Sequence, residues 1–370
     1  MMFDENHFQE TLQKRRENGN FRSLKPKEEG IDFYSNDYLG LAGNTGFRNI
    51  LLETVTENPG LLTGSTGSRL ISGNSLAVEE TETFIAQEHQ CEAALLFPSG
   101  YNANLALFST LPTRHDTVIV DEKVHRSVHD ACKLSNAKKL KFRHNDCCHL
   151  EQILERQTGP CYIAIESLYS MDGDVAPVKE IAGIAGRYNA RLIVDEAHAF
   201  GVFGYGLVDR YRLQNQVAAT VITYGKALGA HGAAVLTNNL IRSYLVNFAS
   251  PFIYTTAAQD FLWMSIRKGY EFLKANHEIS GMLQYKIGIF REAQLEGPSA
   301  EDSPVRAVMV PDNDRLKNLH HRLLKDGFLT YAVCSPTVKP GTERLRICLH
   351  SFNTDDDIRS LTGLIKEFFS

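Results

Sequence analysis

Short apolar-rich runs recur between residues about 41 and 270, and each is followed by a polar or glycine-bearing turn and then a helical pattern. Ala93–Leu96, Thr117–Val120, Leu192–Val194 and Val217–Ile222 are the clearest of them. Runs this short and this uniformly apolar are expected of strands buried on both faces in a parallel sheet. Strands alternating with helices predict an α/β fold. Open sheets of that class place their ligands just beyond the carboxyl ends of the strands. The residues directly after each run therefore carry the functional information.

After Leu192–Val194 comes Asp195-Glu196-Ala197-His198. A carboxylate emerging from a buried strand is costly unless it has a cationic or hydrogen-bonding partner. Alone, Asp195 reads equally well as a cap of the next helix. After Val217–Ile222 comes Thr223-Tyr224-Gly225-Lys226-Ala227-Leu228-Gly229-Ala230-His231-Gly232, one lysine among glycines and small residues. Glycines let the backbone turn tightly and approach a ligand. A free lysine has a pKa of about 10.4, so it is almost wholly protonated at neutral pH. Desolvation or neighbouring cations release the free amine that attacks a carbonyl, which makes Lys226 a candidate Schiff-base residue. An Asp partner for a pyridine nitrogen together with a Schiff-base lysine is the pair that pyridoxal phosphate needs.

A phosphate needs a cradle. Phe97-Pro98-Ser99-Gly100-Tyr101-Asn102-Ala103-Asn104 follows Ala93–Leu96 and leads into a helical pattern from Asn104 to Leu111. Amides at a helix N-terminus bind anions, so Ser99 and the amides of Gly100 and Tyr101 are the expected donors. Thr223 adds a hydroxyl, and His125 follows Thr117–Val120 where an imidazole could lie over a ring face. Each of these signals alone also fits an ordinary turn or a structural histidine.

Taken together, the motifs resemble the α-oxoamine synthases, pyridoxal-phosphate enzymes of fold type I that condense an amino acid with an acyl thioester. The matching segments run in family order: Ser35-Asn36-Asp37-Tyr38-Leu39-Gly40-Leu41, Gly64–Asn74, Phe97–Asn104, Glu166-Ser167-Leu168-Tyr169-Ser170-Met171-Asp172-Gly173-Asp174, Val194–His198, Thr223–Lys226, Pro336-Thr337-Val338 and Arg344-Leu345-Arg346. Within the family the opening and the ending are most similar to the 8-amino-7-oxononanoate synthases of biotin synthesis. The resemblance implies a large, mostly parallel sheet domain with helices on both faces and a small C-terminal α/β domain. It also implies condensation of L-alanine with a pimeloyl thioester, on coenzyme A or an acyl-carrier protein, with release of carbon dioxide and thiol. Another α-oxoamine synthase, using glycine or serine and a different acyl-CoA, is the alternative.

By the same resemblance, Lys226 would hold the cofactor and move the proton at the amino-acid Cα. Asp195 would keep the pyridine nitrogen protonated, His198 would hydrogen-bond the ring hydroxyl, and His125 would stack on the ring. Ser170 would contact the hydroxyl side and Glu166 would support the site. Ser99, Gly100, Tyr101 and Thr223 would hold the phosphate. Thr255 and Thr256, in Tyr254-Thr255-Thr256, would reach the phosphate of a neighbouring subunit, which implies a homodimer. Asn36 would lie near the substrate.

Arg346 also has an argument of its own. Arg344-Leu345-Arg346-Ile347 alternates charge with apolar residues, so in a strand the arginines share one face. A guanidinium binds a carboxylate through two parallel hydrogen bonds, and the resemblance makes Arg346 the clamp for the amino-acid carboxylate. Just before Pro336 stand Cys334 and Ser335, where some biotin-pathway members carry a basic residue. The arginine strand continues as Leu349-His350-Ser351-Phe352-Asn353, unlike the family's usual sequence. The acyl donor is left open by these departures.

A chain of 370 residues suggests a large domain of about 41–270, a smaller one of 271–370, and an N-terminal helix with an extended lead-in over 1–40. Asn276–Tyr285 reads as a helical connector, Asp314–Asp326 as a helix, and Leu329–Val333 and Arg344–Leu349 as strands. The net charge of −5 argues against a nucleic-acid partner. The start, Met1-Met2-Phe3-Asp4-Glu5-Asn6-His7, has no basic stretch leading into an apolar one, and no long apolar run occurs, so a cytoplasmic protein is expected. Seven scattered cysteines read as reduced thiols. His144-Asn145-Asp146-Cys147-Cys148-His149 gathers possible metal ligands, but adjacent cysteines point apart, and a turn with a helix cap is expected there instead of a metal site.

Overall fold

The computed structural model describes residues 5–24, 26 and 28–370. Met1–Asp4, on which part of the leader reading rests, lie outside the described residues. Strand β1 is Ile31–Asp32. The main sheet is built from β2 (Ala93–Phe97), β3 (Thr117–Asp121), β4 (Lys138–Phe142), β5 (Cys161–Glu166), β6 (Arg191–Asp195), β7 (Ala219–Thr223) and β8 (Ala233–Thr237). These seven strands lie in the order β2-β8-β7-β6-β5-β3-β4.

The apolar runs form the buried strands as expected. Every residue of β2, β3, β5 and β8 is buried. Successive residues feed opposite faces: Leu95, Val118, Val120, Ile193 and Val221 join one hydrophobic cluster, whereas Ala94, Ile119, Val194 and Ile222 join the other. The first face is covered by helices Gly100–Thr110, Arg126–Leu134 and Asn239–Phe248; the second by Leu76–Glu88, Val178–Arg187 and Asp260–Ala275. Lys138–Phe142 is the exception, a half-exposed edge strand whose lysines suit a sheet edge.

Most pairs in this sheet are parallel, but β8 runs antiparallel to both β2 and β7. The chain reverses directly through the Lys226 loop, so β7 and β8 pair without a crossover helix. Three further strands, β9 (Val305–Met309), β11 (Tyr331–Val333) and β12 (Arg344–Cys348), form an antiparallel sheet in the order β11-β12-β9. The run expected as one strand over Leu329–Val333 is broken at Thr330. Its first half, β10 (Phe328–Leu329), pairs in parallel with β1, while its second half joins the antiparallel sheet. The lead-in segment is therefore stitched to the C-terminal layer. No helix among the described residues is long and apolar enough to cross a membrane.

Candidate active site

A cavity of about 470 Å³ lies beyond the carboxyl ends of β2, β6 and β7. Glu166, Asp195 and Thr223, which line it, are the last residues of β5, β6 and β7. Ser99, Gly100 and Tyr101 enter from the turn after β2, His125 from the turn after β3, and Ser170 from the loop after β5. Ala197 and His198 follow Asp195, and Lys226 stands in the loop between β7 and β8. Asn36 and Arg346 close the cavity from the C-terminal side.

The lysine loop is held by its own backbone. The Tyr224 amide donates to the Gly232 carbonyl at 3.0 Å and the Ala230 amide to the Tyr224 carbonyl at 2.9 Å. Gly229 has φ +63°, and a Cβ there would meet the Ala42 amide nitrogen at 2.4 Å, so only glycine fits. Lys226 keeps part of its surface open to the cavity while protein encloses its amine. Burial lowers its pKa; Asp195 and Glu166 pull the other way, and Arg346 adds to the lowering. The amine is thus biased toward its neutral, nucleophilic form.

Asp195 is 7% exposed and is held from two sides. Its Oδ2 accepts from Asn104 Nδ2 at 2.7 Å and its Oδ1 from the Ala197 amide at 2.9 Å. Beside it across the sheet pairs Glu166. Burial, reinforced by the Asp195 charge, pushes the Glu166 carboxyl up to about 8. Two neighbouring buried carboxyl groups are not easily ionised together. His198 Nδ1 lies 2.7 Å from the buried Tyr38 hydroxyl, and burial drives its pKa well below the usual value, with Lys226 adding to that effect. His125 is the N-cap of helix Arg126–Leu134, its Nδ1 2.8 Å from Ser127 Oγ and its ring open to the cavity.

The helix after β2 begins at Gly100, four residues before the expected Asn104, and Ser99 is its N-cap with Oγ accepting from the Asn102 amide at 3.3 Å. The amides of Gly100 and Tyr101 open the first turn, where helical amides lack partners within the helix. A Cβ on Gly100 would meet Thr223 Cγ2 at 2.5 Å, so the cradle wall needs this glycine. The Tyr101 side chain instead turns outward to Asp130 at 3.1 Å. At the other end, Arg346 is 7% exposed, with Nη2 donating to Asn36 Oδ1 at 2.8 Å and Nε to the Ser170 carbonyl at 2.7 Å. It makes no ion pair among the described residues, whereas Arg344, two positions away, pairs with Asp172. Thr255 and Thr256 are not brought into this cavity; they line a separate small one with Arg69, Phe252 and Trp263.

The family model described as aminotransferase class I and II matches residues 28–363. The chain belongs to this family. A curated 8-amino-7-oxononanoate synthase from Emericella nidulans is 38% identical over 366 residues, covering 90% of this chain and 88% of the relative. The 8-amino-7-oxononanoate synthase of Francisella tularensis superposes with a TM-score of 0.78 at 29% identity, over 91% of this chain and 97% of that one. A variant serine palmitoyltransferase from S. paucimobilis with a bound PLP–myriocin aldimine superposes with a TM-score of 0.86 at 24% identity, over 98% and 97% of the two chains. As a member of the family, with a fold-type I architecture, the protein is a pyridoxal-phosphate-dependent acyltransferase.

The residues present fit that cofactor. A buried amine, a buried carboxylate with defined partners, an open imidazole face and a helix N-terminus walled by glycine surround one cavity. Glu166 Oε1 is buried with no partner among the described residues. Two further residues of the site carry no role in the sequence reading: Asn104, although inside a quoted motif, and Ser127, two positions after His125. Asn104 is a polar residue on the buried side of an otherwise apolar helix face, four residues on from Gly100, and that is the signal by which it could be found. Ser127 has no such signal, because a serine in the first turn of a helix is ordinary.

Proposed function

We propose that the enzyme joins L-alanine to a pimeloyl thioester, forming 8-amino-7-oxononanoate, carbon dioxide and free thiol for biotin synthesis. The observation that carries this reading is the shared name of the curated relatives at 31–38% identity over most of the chain, together with a cavity that offers a lysine, an acid pair and a buried arginine with no ion pair among the described residues. Bound pyridoxal phosphate supplies the electron sink that makes bonds at the amino-acid Cα breakable. Lys226 would hold the cofactor and carry the Cα proton, for which a lowered amine pKa is suited. Asp195 would keep a proton on the pyridine nitrogen, His125 would cover the ring, and His198 with Ser170 would face the ring hydroxyl. Gly100, Tyr101, Ser99 and Thr223 would hold the phosphate.

Arg346, with Asn36 beside it, would take the amino-acid carboxylate. Thr255 and Thr256, outside the cavity of their own chain, would complete the phosphate cradle of a second copy. Tyr254 beside them is 83% exposed, which suits such a contact.

A second reading is a different α-oxoamine synthase acting on serine or glycine. It is favoured by Cys334 and Ser335 in place of a basic residue, and by the similarity to serine palmitoyltransferase. Crossing alanine, glycine and serine with pimeloyl and long-chain thioesters, and weighing the products by mass spectrometry, separates the two. Product from alanine and pimeloyl thioester alone supports the first; turnover only with serine or glycine overturns it.

A further inference from the structure

Asp195 ends β6 and His125 caps the helix after β3, yet a chain of hydrogen bonds joins them. Asn104 Nδ2 donates to Asp195 Oδ2 at 2.7 Å and to Ser127 Oγ at 3.0 Å. Ser127 Oγ in turn lies 2.8 Å from His125 Nδ1, and the Ser127 backbone amide lies 3.3 Å from the same nitrogen. Ser127 and Asn104 are 0% and 1% exposed, so the two bonds that Asn104 donates are shielded from water.

The proton positions follow from the donors. A carboxylate accepts only, so the Asn104 amide must present its NH₂ to Asp195; the reverse orientation would set Oδ1 against the carboxylate. The two hydrogens of that NH₂ then serve Asp195 and Ser127. Ser127 Oγ has accepted, so its one proton is free for His125 Nδ1. The Ser127 backbone N–H can only donate, and it too is directed at Nδ1. A ring nitrogen that receives two donors bears a lone pair, so a neutral His125 carries its proton on Nε2. Asn104 Oδ1 is left buried without a partner among the described residues, the cost of holding the amide this way round.

We infer that Asn104 and Ser127 are positioning residues that link the Asp195 carboxylate to His125 and hold His125 as the neutral Nε2–H tautomer. His125 then meets the cavity with a fixed N–H donor, not a basic nitrogen. Burial, the leading influence, lowers the His125 pKa and agrees with a neutral ring. This inference deepens the proposed use of the site and rests on it only for the identity of the bound ring. It is independent of which amino acid or thioester is used.

The test is a long-range proton–nitrogen correlation spectrum of the full-length protein labelled with ¹⁵N-histidine, recorded before and after loading with pyridoxal phosphate. The His125 signals are identified by their loss in His125→Gln. At pH 7.5 we expect an unprotonated Nδ1 and a protonated Nε2. Ser127→Ala should pull the two nitrogens toward a tautomeric average and raise the titration midpoint of His125 by up to about one pH unit, because a bond to the neutral form is lost. Ser127→Thr, which keeps the hydroxyl, should restore both. A protonated Nδ1 or an imidazolium in the unmodified protein would overturn the inference without any variant, and so would a Ser127→Ala spectrum identical to the parent. Failure of the alanine assay with these signals intact would sink the proposed substrates and leave the tautomer lock standing.

Discussion

Arg346 Nη2 donates to Asn36 Oδ1 at 2.8 Å across 310 residues of chain, and the same guanidinium holds the Ser170 carbonyl through Nε. One side chain thus ties the lead-in segment, the loop after β5 and the C-terminal sheet together at the cavity mouth. Part of its donor fork is used for this, and the remainder has no carboxylate partner among the described residues. Arg346→Ala is expected to raise KM for the amino acid by about 30-fold or more, the lower bound for truncating one partner of a buried charge pair. The thioester KM should change little. A larger rise in the thioester KM would move Arg346 to the acyl site.

Lys226 is the residue that borohydride should fix covalently to the cofactor. Peptide mapping by mass spectrometry after reduction is expected to find the label there. Lys226→Ala should keep cofactor through the phosphate cradle and lose turnover. A label on another lysine would refute its assignment.

Asp195→Asn should leave the fold intact, because Asn104 and the Ala197 amide remain as neighbours, but it removes the charge that would hold a pyridinium proton. A charge-assisted bond of about 1.5–3 kcal/mol is lost, which corresponds to roughly 10- to 150-fold in rate. Steady-state kcat measured at saturating cofactor checks this. A kcat within twofold of the parent would contradict the pairing.

His144 lies between Asp121 Oδ1 at 2.9 Å and Asp174 Oδ2 at 2.5 Å, fastening the turn after β4 to the loop that carries Ser170. Burial opposes its charge, but hydrogen bonds that its ring donates to both carboxylates raise its pKa to about 9. A raised folded pKa contributes stability that is complete below about 6.5 and lost as pH rises through about 9; the size is roughly 3 kcal/mol. Glu166, raised to about 8, acts in the same direction. These two groups should lower the Tm of the cofactor-free protein between pH 7 and 10, against an opposing contribution from the lowered Lys226 amine. His144→Gln should have a lower Tm at pH 7 and a flatter profile. Parallel profiles for the two proteins would rule out this role.

Cofactor retention should depend on assembly if Thr255 and Thr256 complete a partner's cradle. Diluting the protein below its dimer dissociation constant should release cofactor, and added cofactor should favour the dimer by mass action. Sedimentation and cofactor content read from the same samples decide it. A monomer that keeps its cofactor as tightly as the undiluted protein would show the cradle to be complete in one chain.

By itself the sequence determined the strands and the residues at their ends. Short apolar runs bounded by turn residues suit strands inside a sheet covered on both faces, which puts Asp195, Thr223 and the turn at Ser99–Gly100 at one edge. Lys226 was legible because glycines bracket it, and Arg346 because charge alternates with apolar residues in β12. Only the tertiary structure decided the reversal at β8 and the break at Thr330, since the direction of a buried strand and the partner of a short one depend on segments far away in the chain. It alone decided which of two same-face arginines has no ion pair among the described residues: Asp172 meets Arg344 and leaves Arg346 to the cavity. The same holds for the wiring through Asn104 and Ser127. Hydrogen bonds between residues 23 and 91 positions apart leave no local pattern, because their partners are brought together by packing and not by spacing.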